Sequence, residues 1–258
     1  MAQNTQNNVL VVGGSSGVGL AAAKLALTGL PGTNIVISSS TEEKLKKAVE
    51  DIKSTSGAKS GIVDYVVGDI SNFDSQYDDV EAILKKSVDI FGGKIDHVVW
   101  TAGNFPGSNS GERNHQDIIG VASTRIFGPL TLGQLAPHYM NESQHSSITI
   151  TSGVRIYKPT KGRGRLAAAG GSIEAGAKGL AVDLAPIRVN FVVLGIIQTP
   201  LVDTFTQGND QMLEAFKEQT LLKAIGKAEE AAEAYLFSMR CAYMTASRID
   251  VEGGMLLA

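Results

Sequence analysis

The stretch Val9–Gly19, VLVVGGSSGVG, decides how the chain folds. Val9–Val12 is a short continuous apolar run rich in β-formers, as expected of a central strand in a parallel sheet covered on both faces. It breaks into Gly13-Gly14-Ser15-Ser16-Gly17-Val18-Gly19 and then into a helix over Leu20–Leu27, LAAAKLAL. Strand, glycine turn and helix N-terminus in that order form an anion site, because free N–H groups and the positive end of the helix dipole both favour a phosphate. Glycine lets the backbone approach such a ligand without a Cβ in the way. The spacing Gly13-x-x-x-Gly17-x-Gly19 departs from the usual G-x-G-x-x-G fingerprint, so the flanking strand and helix carry the reading.

Outward from this elbow, strands and helices alternate. Strands are expected at Asn34–Ser38, Val63–Val67, His97–Trp100, Ser147–Thr151, Arg188–Val193 and Ser247–Val251. Between them lie helices over Glu42–Lys53, Ser75–Phe91, His115–Met140, Leu166–Leu184 and Ala228–Met239, with Asp203–Lys223 partly helical. Pro129 and Pro137 must bend, bound or split the long helix. Asn104–Asn114 and Leu194–Leu201 read as loops, and no linker-like segment interrupts the pattern. The expected fold is therefore α/β, a single doubly wound Rossmann-type domain over residues 1–258 with helices on both faces of a parallel sheet. Ligands of such sheets bind at the carboxyl ends of the strands, where the small-residue turns fall.

Composition narrows the function. Hydrophobic residues at 43% and charged residues at 19% suit a soluble globular core. A net charge of −3 with no long basic run offers nucleic acid no foothold. No apolar run reaches the ~18 residues a membrane span needs, and the polar N-terminus MAQNTQNN is unlike a secretory signal. The single cysteine, Cys241, suits a reducing compartment. A cytoplasmic protein without nucleic-acid or membrane partners is expected. His97, His115, His138 and His145 show no metal-ligand spacing, so no metal is expected.

Strand two ends in hydroxyls rather than in the acid that commonly holds a ribose 2′-hydroxyl. Ser38, Ser39 and Ser40, with Lys44 in reach, suit a 2′-phosphate and hence NADP(H); alternatively these serines cap the next helix. Asp69 either touches an adenine edge or caps its own turn. Ser152 ends strand five on the ligand face, placed to hydrogen-bond a small-molecule substrate, or else it serves only the turn. Arg125, a permanent cation in a helix of small and apolar residues, orients substrate or cofactor, or else makes a structural ion pair.

Together these residues resemble the short-chain dehydrogenase/reductase family. The matching motifs are Gly13/Gly17/Gly19, Asp69, Thr101-Ala102-Gly103, Ser152, Ile187-Arg188-Val189-Asn190, Gly195 with Thr199-Pro200, and Gly253-Gly254. Val12, Trp100-Thr101 and Leu194 depart from the family's usual residues. The resemblance implies cofactor contacts at Gly13, Ser15, Ser16, Gly17, Val18, Gly19, Ser39, Ser40, Asp69, Ile70, Ala102, Gly103, Gly195, Ile197 and Thr199. It also implies a homodimer or homotetramer packed through the helices Gly120–His138 and Leu166–Leu184.

The family reduces carbonyls with a Tyr-x-x-x-Lys pair, the lysine lowering the tyrosine's pKa so that its hydroxyl can exchange a proton. Counting back from Asp183-Leu184-Ala185-Pro186, these positions hold Leu166 and Gly170, and the family's relay asparagine falls at or beside Arg125. Neither Leu166 nor Gly170 can move a proton. The literal Tyr157-Lys158-Pro159-Thr160-Lys161 begins only five residues after Ser152. Pro159 disfavours helix at Lys158, so Tyr157 and Lys161 are not expected to act as that pair. The pattern resembles an atypical branch lacking the pair, which includes fungal NADPH-dependent reductases that also guide an intramolecular Diels–Alder reaction. That branch's Asp- and Trp-bearing loop is replaced here by Thr160–Arg165, TKGRGR. The catalytic candidates are Ser152 and Arg125. The expected activity is NADPH-dependent reduction of a carbonyl or iminium; the alternative is a non-redox NADP(H)-binding protein or a cyclase.

Overall fold

The computed structural model describes residues 6–55, 61–103 and 115–258. The loop expected at Asn104–Asn114 lies outside them. β1 (Asn7–Val12) leads through the glycine elbow into α1 (Gly17–Gly29), followed by β2 (Thr33–Ser39), α2 (Glu42–Lys53), β3 (Val63–Val67), α3 (Gln76–Phe91) and β4 (His97–Trp100). The second half runs α4 (His115–Ala122), a π-turn (Ser123–Phe127), α5 (Gly128–Tyr139), β5 (Ser147–Gly153), α6 (Gly164–Asp183) and β6 (Arg188–Leu194). After these come β7 (Ile197–Gln198), α7 (Pro200–Thr206), α8 (Asp210–Glu218), β8 (Gly226–Lys227), α9 (Ala228–Arg240) and β9 (Arg248–Val251).

Seven parallel strands form one sheet in the order β3-β2-β1-β4-β5-β6-β9. The order reverses between β1 and β4, the switch point at which doubly wound sheets open a crevice. Alternation along β1 explains its unbroken apolar run. Val9 and Val11 join Ile35, Ile37 and the helices α1, α2 and α9 in one core. Leu10 and Val12 join Val98, Trp100, Ile148 and Ile150 under α3, α5 and α6 in the other. From Val9 to Val12 a residue facing either way is buried, which is why this run is apolar throughout.

The long helix expected over His115–Met140 is split. Pro129 has no N–H to give the Arg125 carbonyl, and its ring needs room there. The chain widens into the π-turn, where the Gly128 N–H reaches back to the Ser123 carbonyl. Such turns concentrate at functional sites, and Arg125 sits at the centre of this one. Asp203–Lys223 likewise resolves into α7 and α8, separated by Gln207 and Gly208 at positive φ. The buried Arg188 of the IRVN motif is structural: its guanidinium donates to the carbonyls of Gln144, Ser238, Met239 and Met244. Among the described residues, no helix is long and apolar enough to cross a membrane.

Candidate active site

The elbow is a backbone device. Gly13 turns at φ +90°, and a Cβ there would lie 2.6 Å from the Ala102 backbone nitrogen. At Gly19 a Cβ would lie 2.4 Å from both the Gly13 carbonyl oxygen and Thr101 Oγ1. Thr101 fastens the turn by donating from Oγ1 to the Val12 and Gly13 carbonyls. Ser16 caps α1 without a side-chain bond, and no acid occupies the first turn. The helix N-terminus, with Ser15, Ser16, Gly17 and Val18 around it, is thus left open to an anion. From the far side Thr199, the N-cap of α7, closes on the elbow: its Cγ2 lies 3.1 Å from where a Gly17 Cβ would be. Ile197 is buried beneath, and Gly195 packs on the backbone of Glu252.

At the end of β2 the Ser38 and Ser39 hydroxyls are both buried and without a hydrogen-bond partner, while Ser40 is exposed. Buried hydroxyls are ordinarily satisfied, so this pair fits a polar group brought by a ligand. Asp69 is exposed and its Oδ1 caps its own turn, accepting from the Ser71 N–H and hydroxyl. Ile70 buries its side chain in the core beside it.

At the end of β5, Ser152 is 4% exposed, and its Oγ has no partner. Facing it across α6 is Gly170, whose added Cβ would lie 3.5 Å from that oxygen. The same Cβ would lie 2.3 Å from Ile156 Cγ1. Ile156 comes from the 3-10 turn Val154–Ile156, which directly follows β5. It fills the space that a side chain at position 170 would need, so the site has no room for the family's lysine. Sequence reasoning missed Ile156 because an isoleucine beyond a strand carries no chemical signal of its own.

Arg125 enters from the π-turn. Its guanidinium lies against Gly103, with Nη2 2.6 Å from where a Gly103 Cβ would be. Because Trp100 pairs with Ile150, the Ala102-Gly103 turn and Ser152 open on one stretch of the sheet edge. Removal from water pushes the guanidinium down to about 10, opposed by the Tyr235 phenol. It remains a cation at neutral pH. Tyr235, fully buried on α9, shares a hydrogen bond of 2.7 Å with Thr151 Oγ1. Burial raises its pKa well above the ordinary phenol value, so it stays neutral.

Tyr157 is engaged elsewhere. Its hydroxyl donates to Glu174 at 2.6 Å, and the Arg248 guanidinium sits 4.5 Å from its ring centre. Burial, followed by that bond to Glu174, raises its pKa. Lys158 is tied to the carbonyls of Met255 and Ala258. Arg155 extends toward α8, with Nη2 3.4 Å from Gln219 Oε1. His97 is buried, its Nδ1 2.9 Å from Ser147 Oγ, a core histidine in its effect.

A glycine elbow at the switch point of a doubly wound parallel sheet is the arrangement of the nucleotide-binding Rossmann class. A family profile described as an SDR-like Rossmann domain matches residues 1–258. The chain is 37% identical over 250 residues to the short-chain dehydrogenase/reductase ATR9 of Stachybotrys chlorohalonatus, covering 97% of each. It is 31% identical over 254 residues to malC of Malbranchea aurantiaca, covering 97% of this chain and 94% of that one. The solved MalC reductase/Diels-Alderase superposes with a TM-score of 0.90 at 30% identity, covering 98% and 97%. The chain belongs to the short-chain dehydrogenase/reductase family, and it is an oxidoreductase with a fold that binds a nicotinamide cofactor.

Proposed function

We propose that this enzyme is an NADP(H)-dependent reductase of a small-molecule carbonyl and works without a tyrosine–lysine relay. One observation carries the reading. The orphaned Ser152 hydroxyl faces a Gly170 closed by Ile156, while the Arg125 cation lies on the same edge beside an intact elbow. When bound, the nicotinamide supplies a hydride. Ser152 is placed to donate to the carbonyl oxygen and hold it. As that oxygen takes the electron pair of the C=O bond, Arg125 stabilises the growing negative charge. A solvent proton then completes the alcohol.

An iminium would need no proton, but its positive charge would face Arg125, so the electrostatics favour the carbonyl. The Ser38 and Ser39 hydroxyls, with exposed Ser40 and Lys44 and no acid at the end of β2, support NADP(H) over NAD(H).

Loss of NADPH absorbance against a panel of aldehydes, ketones and cyclic imines tests the reading. Turnover of carbonyls is the expected result. Tight NADPH binding with no oxidation across the panel would instead favour a pocket that only shapes its substrate, the second activity in MalC's description. In the same assay Ser39→Asp should shift preference from NADPH toward NADH.

A further inference from the structure

Resting on that reading, we propose that the substrate carries an anionic group, a carboxylate or a phosphate, held by Arg155 and Arg163 at the mouth of the Ser152 site. The stretch Ser143–Ile173 contains no aspartate or glutamate, yet it supplies Arg155, Lys158, Lys161, Arg163 and Arg165. In a chain of net charge −3 this is a strongly one-sided segment. The fold brings it to the substrate side of the site. Arg155 stands in the turn three residues beyond Ser152, and Arg163 is the N-cap of α6, about two turns before Gly170.

Most surface arginines find an acid. Here, among the described residues, none lies within ion-pair distance of Arg155, Arg163 or Arg165. Arg155 is half-buried and donates one long bond to the neutral Gln219. Loss of water and repulsion from Arg163 both lower its pKa. The Arg165 Nε is buried with no partner. Helix α6 adds its own positive end, with neither a side-chain cap bond nor an acid in its first turn. Lys158 is excluded because the C-terminal carbonyls occupy it.

The independent sign of a ligand is Ser152, nine-tenths buried with its hydroxyl unsatisfied. Three residues of chain span at most about 10 Å. A reacting carbonyl at Ser152 and an anion at Arg155 therefore fit one small oxo acid. A charge-assisted hydrogen bond from an arginine to such an anion is worth about 10- to 100-fold in affinity.

The test compares 4-carboxybenzaldehyde and 4-formylphenyl phosphate with the neutral methyl 4-formylbenzoate, using NADPH-saturated enzyme. An anionic aldehyde should be preferred about 10- to 100-fold in kcat/KM, chiefly through KM and less so at high salt. Whichever anion leads identifies the group. Arg155→Gln and Arg163→Gln should each remove most of that preference, while Lys161→Gln, on the exposed part of the same loop, should keep it. Equal kcat/KM for charged and neutral aldehydes overturns the inference while leaving the reductase reading standing. So does a preference untouched by both arginine variants. If no aldehyde is reduced, calorimetry with terephthalate and NADP-loaded protein decides: binding lost in Arg155→Gln supports an anion site, and no binding refutes it.

Discussion

Gly170→Ala and Gly171→Ala place the same methyl group on neighbouring positions of α6, and the structure predicts opposite outcomes. Both substitutions gain the roughly 1 kcal/mol by which alanine exceeds glycine in a helix interior. At Gly171 the new Cβ meets nothing within 4 Å, so the gain is kept. At Gly170 it would sit 2.3 Å from Ile156 Cγ1 and 2.7 Å from its Cδ1. Ile156 is held by the short turn after β5, and overpacking of this kind costs about 1–3 kcal/mol.

The two variants should therefore differ by that amount. For a chain of this size it corresponds to roughly 2–12 °C in thermal midpoint, with Gly171→Ala the higher. Ile156→Ala then reverses the sign. In that background the methyl at position 170 enters vacated space, and Gly170→Ala becomes stabilising by about 1 kcal/mol. Scanning calorimetry of the four single and double variants closes the cycle. Equal midpoints for Gly170→Ala and Gly171→Ala would refute the claim that Ile156 closes the lysine position.

Gly19→Ala, which drives a Cβ against the Gly13 carbonyl, should abolish measurable NADPH binding by calorimetry, whereas Gly171→Ala should leave it intact. Arg125→Met should lower kcat for a carbonyl substrate by about 100- to 1000-fold, the usual loss when one group stabilising an oxyanion is removed. A loss confined to KM would relocate Arg125's role to ground-state binding. His97 is held down to about 3 from 6.5 by burial, with repulsion from Arg188 adding to it. The unfolded chain therefore takes up a proton below pH 6.5 that the folded one refuses. Stability present above that value is lost as pH falls, by about 2 kcal/mol between pH 7 and 5. His97→Gln should flatten that limb in urea unfolding measured across the same range.

The sheet was legible because its signals are local. Seven short runs placed every strand of the parallel sheet within two residues of its observed bounds, and the elbow followed from strand, glycine and helix in sequence. The paired dipeptides β7 and β8 escaped because two residues carry no period. The candidate site was half legible. Ser152 was found because it ends a strand, and Arg125 because a cation among small residues stands out. Ile156 and Tyr235 act by shape and burial, which only the packed chain reveals. Arg155 carries no signal in the sequence, because only the turn after β5 brings it within reach of Gln219 at the end of α8.

The glycine at position 170 and the isoleucine at 156 are sterically coupled. A lysine at position 170 would need the volume that Ile156 holds, and a glycine there without Ile156 would leave a void beside a buried hydroxyl. Once that space is apolar, no cation on α6 stands beside Ser152 to lower a neighbouring phenol, and a tyrosine at position 166 would keep its ordinary pKa. Leu166 and Gly170 are then consistent with each other, and on the proposed reading the charge at the carbonyl comes from another element. On that reading the π-turn at Pro129 delivers it, setting a guanidinium against Gly103 where a Cβ would collide with it. On the proposed reading the positive charge at the reacting carbonyl comes from Arg125 and not from α6, and the proton comes from solvent and not from a tyrosine.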